Sequence, residues 1–377
     1  MSKTKMHELA ELGQSLRLDN ISRSMIEKGK LKSLIDQGLR GQTSNPTIFK
    51  QAVSQSTDYD QKIIELTEAG KSTFEIYDEI TTRDVRDACD FFKGVYQSTN
   101  ALDGYVSLEI NPHLGNTYEE QFKEGLRLWQ KVNRPNLMIK VPGTKNGCRV
   151  FEDLLAQGVN VNVTLIFSAE QYQEVGWAFL RGMKRLLVQT KDLSRVRSVA
   201  SVFVSRIDTA IDKMLDEKIA AATDEALKAK LEFLRNKAAV ANSEIIFHKY
   251  NKFFLSQGFT ALAHNAQPQR VLWASTGTKN PKYSDIKYVT ELIASPTVNT
   301  LPDKTLEAFL DHGVAKIAIP GDVAGAQKIL EELRTLGIDV SVVCLKLLED
   351  GLVAFNQSFD ELTQSIEEKA KRLCVRK

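Results

Sequence analysis

The chain has 377 residues, 42% of them hydrophobic, and with its 21 glycines the apolar share falls within the ~45–50% of ordinary globular domains. Only nine prolines and no glycine period exclude a collagen-like or low-complexity chain, and 50 basic against 48 acidic residues leave a net charge of +2, with no field to draw in nucleic acid. The densest basic segment, 184–197, is interrupted by Asp192 and carries no aromatic residue for base stacking, so it reads as solvated helix and loop.

In chain order, strand-like segments with period-two alternation are followed by segments with helical periodicity. Strands are expected at 15–19 and 41–45, then helices at 60–69 and 82–98. A strand at 105–109 precedes a helix at 118–131, and one at 137–141 precedes a helix at 149–157. The strand at 161–167 leads into a helix at 169–188, and the strand at 199–204 into helices at 207–218 and 225–256. A seventh strand at 270–276, a helix at 283–293 and an eighth strand at 297–301 complete the alternation. Helices then dominate, at 304–312, at 322–336 and from 345 to 372, with Gly337 and Gly351 as cap or hinge signals. The run 340–345 fits either a strand or the start of the last helix.

Eight strands with intervening helices predict an α/β protein with a closed (β/α)8 barrel, additional helices and a helical C-terminal extension. The division expected is a barrel over 1–313 with 314–377 packed upon it. An open doubly wound sheet is the alternative, disfavoured because no G-x-G-x-x-G follows any strand. No apolar run approaches the ~18–20 residues of a membrane span. The first eighteen residues lack the pattern of a targeting segment, and Cys89, Cys148, Cys344 and Cys374 form no C-x-x-C pair. A cytoplasmic protein without nucleic-acid or membrane partners is the expectation.

In a barrel strand every second side chain points inward. Tyr105, Ser107 and Glu109 alternate with Val106 and Leu108, and Asn160, Asn162 and Thr164 with Val161, Val163 and Leu165. The apolar sets must meet the helices, which sends the polar sets inward. Asp19, Asn45, Glu109, Lys140, Thr164, Ser201 and Ser275 then fall at comparable places near the carboxyl ends of seven strands, the end where barrel enzymes hold their sites.

Lysine is rare in strands and interiors, so Lys140 within Leu-Met-Ile-Lys-Val-Pro needs a reason. Burial disfavours an ammonium, and a free amine attacks a carbonyl to form a Schiff base. A lysine that snorkels out, or pairs structurally with a carboxylate, is the plain alternative. Glu109 on the adjoining strand places a carboxylate within reach of the amine or of a water between them, as iminium formation requires. Asp19 is the candidate base for a departing hydroxyl, its alternative being an N-cap of the helix near Ser22. Asn45, Asn162, Ser201 and Thr164 can hydrogen-bond substrate hydroxyls, Thr164 also a catalytic water. Arg206 and Lys279 each follow a strand end and suit a phosphate. His7, His113, His248, His264 and His312 form no H-x-H or H-x-x-x-H pair, which disfavours a zinc aldolase and points to chemistry without metal or cofactor. His113 reads as an ordinary loop residue or one lining the mouth, Cys148 as packing, and Gly-Thr-Lys-Asn at 143–146, with Lys145, as a second turn.

Gly41-Gln-Thr-Ser-Asn-Pro-Thr-Ile-Phe49 and Leu137-Met-Ile-Lys-Val-Pro-Gly-Thr-Lys-Asn-Gly147 resemble two signatures of the transaldolase family. The likeness continues through the segments 16–23, 103–109, 160–168, 201–207 and 272–281, nearly the whole chain. It implies metal-free transfer of a dihydroxyacetone unit from a ketose phosphate, such as sedoheptulose 7-phosphate or fructose 6-phosphate, to an aldose phosphate in the non-oxidative pentose phosphate pathway. By motif, Lys140 is the imine lysine, Glu109 and Thr164 hold the catalytic water, and Asp19 is the acid/base. Asn45, Asn162 and Ser201 then bind hydroxyls, Ser275 lines the site, and Arg206 and Lys279 take the phosphate. A monomer or homodimer is expected. Arg17, Gln42 and Cys148 depart from the family pattern, and Arg17 points inward by alternation, where pairing with a carboxylate would shift local pKa values. The rivals are a fructose 6-phosphate aldolase of the same superfamily, which typically carries Tyr where this chain has Phe203, and a non-catalytic sugar-phosphate-binding barrel.

Overall fold

The computed structural model describes residues 3–115, 117–190, 192–262 and 266–374, so Met1, Lys191 and His264, on which parts of the sequence reading fall, lie outside it. Eight parallel strands close into a barrel in sequence order: β1 Gln14–Leu18, β2 Gly41–Thr43, β3 Tyr105–Glu109, β4 Leu137–Pro142, β5 Val161–Ile166, β6 Ser198–Phe203, β7 Arg270–Ala274 and β8 Thr297–Leu301. Pairing of β1 with β8 over Gln14↔Thr297 to Leu18↔Leu301 completes the ring. Helices follow the strands and cover their outer faces, which is why Val161, Val163, Ala200 and Val271 are fully buried although they point away from the barrel axis.

The expected bounds hold for β3 and β8. Several others stop short of expectation, so that Asp19, Asn45 and Ser275 stand just beyond the strands rather than within them. Asn45 instead caps helix Pro46–Ser54, its Oδ1 accepting from the Ile48 amide at 3.0 Å. Such a cap contributes about 1 kcal/mol. Asp19 caps no helix: Ser22 does, accepting from the Met25 amide. The 143–146 repeat is also a helix start and not a free turn, with Thr144 capping helix Lys145–Ala156.

The helix expected over 82–98 is two, Thr73–Phe91 and Lys93–Ser98, and that over 225–256 is Glu225–Leu234 and Ala238–Phe254, broken at Asn236, whose φ is +64°. Only Lys287–Thr290 is helical within 283–293. The ambiguous run 340–345 is helical. It opens a single C-terminal helix, Val340–Cys374, in which Gly351 is an interior residue and neither cap nor hinge. Gly337, at φ +79°, does end the helix Val323–Thr335.

The C-terminal helix crosses the carboxyl end of the barrel. Near its start, Cys344 Sγ donates to the Phe167 carbonyl oxygen beyond β5; further along, Ser358 lies against Thr47 and Phe359 packs edge-on against Tyr77. His113, on a 3-10 turn after β3, meets Asp360 at 2.7 Å, and Lys369 reaches Asp60 and the Ser56 carbonyl, both at 2.5 Å. His113 therefore helps to anchor this helix. No helix among the described residues is long and apolar enough to cross a membrane.

Candidate active site

Parallel register places Glu109 of β3 opposite Lys140 of β4, and Lys140 opposite Asn162 of β5. All three point into the barrel. Lys140 Nζ donates to Glu109 Oε2 at 3.1 Å and to the Ser44 carbonyl oxygen at 3.0 Å, with the two charged side chains 6% and 7% exposed. Removal from water pushes the Glu109 carboxyl above its ordinary range; Lys140 opposes that shift and the nearby Asp19 charge adds to it. Asp19, just past β1 and partly exposed, is likewise raised by loss of hydration, against the Thr43 hydrogen bond and the positive charges of Lys140 and Lys279. Thr43 Oγ1 lies 2.7 Å from Asp19 Oδ1 and 2.9 Å from Thr300 Oγ1.

One level of side chains is linked by hydrogen bonds. Ser201 Oγ donates to Asn162 Oδ1 at 2.6 Å, and Asn162 Nδ2 donates to Ser107 Oγ at 3.1 Å. These bonds fix the amide's orientation. Thr164 is fully buried and its Oγ1 has no hydrogen-bond partner in the protein, an orphan that a buried hydroxyl does not normally remain. The next residue, Leu165, has φ +58° where the β5–β6 register shifts, a strained conformation for a leucine. This kink shifts the register immediately after Thr164, and Ile166 pairs again with Val202 of β6.

Arg206 opens helix Ser205–Ala221, its guanidinium 5.4 Å from the Phe203 ring centroid, and it has no carboxylate partner among the described residues. Ser275, at φ +54°, meets Ser205 Oγ through its own Oγ at 3.1 Å. Lys279 is exposed, but its charge reaches Asp19. Cys148 is partly buried in helix Lys145–Ala156, where loss of hydration pushes its thiol up to about 11, out of nucleophilic range.

Three features of the site escaped the sequence. The Ser44 carbonyl oxygen on Lys140 carries no residue-type signal. Thr43 as partner of Asp19 was legible in principle, since Gly41, Thr43 and Asn45 alternate. Phe355 of the C-terminal helix, its ring centroid 6.0 Å from Lys140 Nζ, comes from more than two hundred residues away with no local pattern to mark it.

Fold and site together define a (β/α)8-barrel enzyme built around a buried lysine paired with a glutamate. A family model described as Transaldolase/Fructose-6-phosphate aldolase matches residues 16–366. Among curated relatives, a transaldolase of Trichodesmium erythraeum is 43% identical over 370 residues, 97% of each chain. A transaldolase 2 of Nostoc sp. is 42% identical over 99% of each chain, and a transaldolase of Saccharopolyspora erythraea 43% identical over 98% of each. The chain belongs to the transaldolase/fructose-6-phosphate aldolase family.

Proposed function

We propose that this enzyme is a transaldolase, moving a dihydroxyacetone unit from a ketose phosphate to an aldose phosphate through a Schiff base on Lys140. The observation that carries the reading is the buried Lys140–Glu109 contact of 3.1 Å at the carboxyl end of the barrel. Lys140 Nζ attacks the ketose C2, and the carbinolamine expels water to give the iminium. Glu109, its carboxyl pushed above the ordinary range by burial, supplies and retrieves the proton through a water held by Thr164 Oγ1. Asp19 takes the proton of the C4 hydroxyl, the C3–C4 bond breaks, and the aldose leaves while the electron pair enters the iminium as an enamine. The enamine carbon then attacks the acceptor aldehyde, Asp19 returns its proton to the new alkoxide, and water releases the product from Lys140.

Asn45 Nδ2, Asn162 and Ser201 bind hydroxyls in this scheme, with Ser275 lining the wall. Arg206 and Lys279 hold the phosphate, Arg206 being a cation without a carboxylate partner among the described residues. Phe203 offers no hydroxyl to protonate the enamine, which favours transfer over the aldolase reading. We assign residues 1–313 to the barrel unit and 314–377 to a helical extension, and place the enzyme in the cytoplasm, in keeping with four unpaired cysteines. Borohydride reduction with fructose 6-phosphate and no acceptor, followed by peptide mapping, tests the scheme. A three-carbon adduct on Lys140 is expected; its absence on folded protein overturns the reading.

A further inference from the structure

The C-terminal helix Val340–Cys374 approaches the barrel mouth closely at two points. At Gly351 a Cβ atom would stand 3.0 Å from Leu165 Cδ2 and 3.7 Å from Arg206 Nη1, so a hydrogen there lets the helix lie against the kinked end of β5. One turn on, Phe355 is 6% exposed and its ring centroid is 6.0 Å from Lys140 Nζ. Contacts on both sides of this pair fix the helix, through Cys344 to Phe167 at one end and through Ser358, Asp360 and Lys369 at the other.

We propose that Phe355 is the residue that commits the enamine to transfer, by roofing the reacting carbons and denying them water. The inference rests on the Lys140 Schiff-base reading above. A planar three-carbon unit bonded to Nζ fits the 6.0 Å gap, and its carbons then meet the ring near the ~3.5–4.0 Å of ordinary van der Waals contact. The ring has no proton to give and no lone pair to hold a water. With Phe203 equally without a hydroxyl, neither ring can hand the enamine a proton. Premature release needs two events: a proton must add to the enamine carbon, restoring the iminium, and water must then attack C2, giving free dihydroxyacetone and the Lys140 amine. An apolar roof suppresses the first by keeping water off the enamine carbon, while an acceptor aldehyde enters from the side that the first aldose left. The second is shared with release of the transfer product and does not decide between them.

The test is a ratio. With fructose 6-phosphate alone, free dihydroxyacetone is measured; with an aldose phosphate acceptor added, the transfer product is measured on the same preparation. Phe355→Ala is expected to raise release relative to transfer by about tenfold, and Phe355→Leu by a smaller factor, because it keeps part of the apolar cover. Both products arise from one enamine on the same folded molecules, so loss of folded protein does not move the ratio. If Phe355→Ala fails to fold, Phe355→Leu decides. An unchanged ratio in the folded variant, with both rates altered in step, overturns the proposal while leaving the Schiff base intact. A wild-type enzyme that forms no borohydride-trapped adduct on Lys140 overturns the underlying mechanism instead.

Discussion

At the amino end of the barrel Asp103 accepts hydrogen bonds from Ser15 Oγ and Arg270 Nη2, both at 2.8 Å, while Arg270 Nη1 donates to Ser15 Oγ at 2.9 Å. At the carboxyl end Glu109 meets Lys140 at 3.1 Å, with Asp19 nearby and the hydroxyl of Thr164 unpartnered. Both ends bury ions, yet their carboxylates titrate in opposite directions. Burial pushes Asp103 up, but Arg270 and the Ser15 and Arg270 hydrogen bonds outweigh it and hold the group below its ordinary range. Asp19 and Glu109 finish above theirs. A saturated carboxylate is locked as an anion and can only hold structure, whereas an under-saturated one can take and return a proton. The difference lies in how many donors each carboxylate is given.

Activity and stability part most widely at Lys140. Lys140→Ala is expected to abolish transfer, by at least about four orders of magnitude, since among the described residues no other amine pairs with Glu109. Its melting temperature should stay near that of the wild type, because Glu109, already raised, takes up a proton once its partner is gone. A transfer assay beside a thermal melt checks both halves. Asp103→Ala should do the reverse. It strands Arg270 as an uncompensated buried cation and is expected to cost about 3–5 kcal/mol in denaturant unfolding, with kcat near wild type wherever the protein is folded.

Arg17 is a buried ion that serves neither end's chemistry. It is fully buried inside β1, its Nη1 lies 3.6 Å from Met138 Sδ, its guanidinium sits 5.7 Å from the Tyr105 ring centroid, and its Nε and Nη2 have no hydrogen-bond partner. Loss of hydration, with repulsion from Arg270, brings it down to about 10, still protonated at neutral pH. Asp103 is near enough to act on it, but its hydrogen bonds go to Arg270 and Ser15, so the carboxylate partner expected from the sequence is only partly supplied. Arg17→Met keeps the stem that packs beside Gly41, where a Cβ would already stand 3.2 Å from the arginine Cγ and Cδ, and removes the unmatched charge. It should stabilise the protein by about 1–4 kcal/mol in the same unfolding experiment, with the rate of transfer unaffected.

What the sequence made legible follows the range of the forces involved. Strand alternation is set residue by residue, so the inward set Glu109, Lys140, Asn162 and Thr164 and the eight-strand order could be read directly. Asp19, Asn45 and Ser275 were found but placed inside strands, because a polar residue that continues the alternation looks the same whether or not the chain has left the sheet. Helical periodicity alone did not mark the breaks at Phe92 and Asn236, the latter at φ +64°. The C-terminal helix shows the limit. Gly351 resembled a cap or hinge signal and is a close-approach residue, and Phe355 carried no local signal, because what each touches is set by packing across the whole molecule.

The finest test changes only how many donors Asp19 is given. Loss of hydration raises its carboxyl, and the Thr43 hydroxyl at 2.7 Å is the largest influence holding it down. Thr43→Val conserves shape and removes that donor, so Asp19 must rise further. As the proposed acceptor of the C4 hydroxyl proton, Asp19 works as the anion, and a higher pKa means that more of it is protonated at a given mildly acidic pH. The acidic limb of the kcat profile should therefore move to higher pH, with the rate on the alkaline side of that limb close to wild type. Measuring kcat across the limb for both proteins checks the sign. A limb that stays put would mean either that a group other than Asp19 sets it or that the Thr43 contact is not maintained with substrate bound. A shift to lower pH would contradict the assignment of Asp19 as the base.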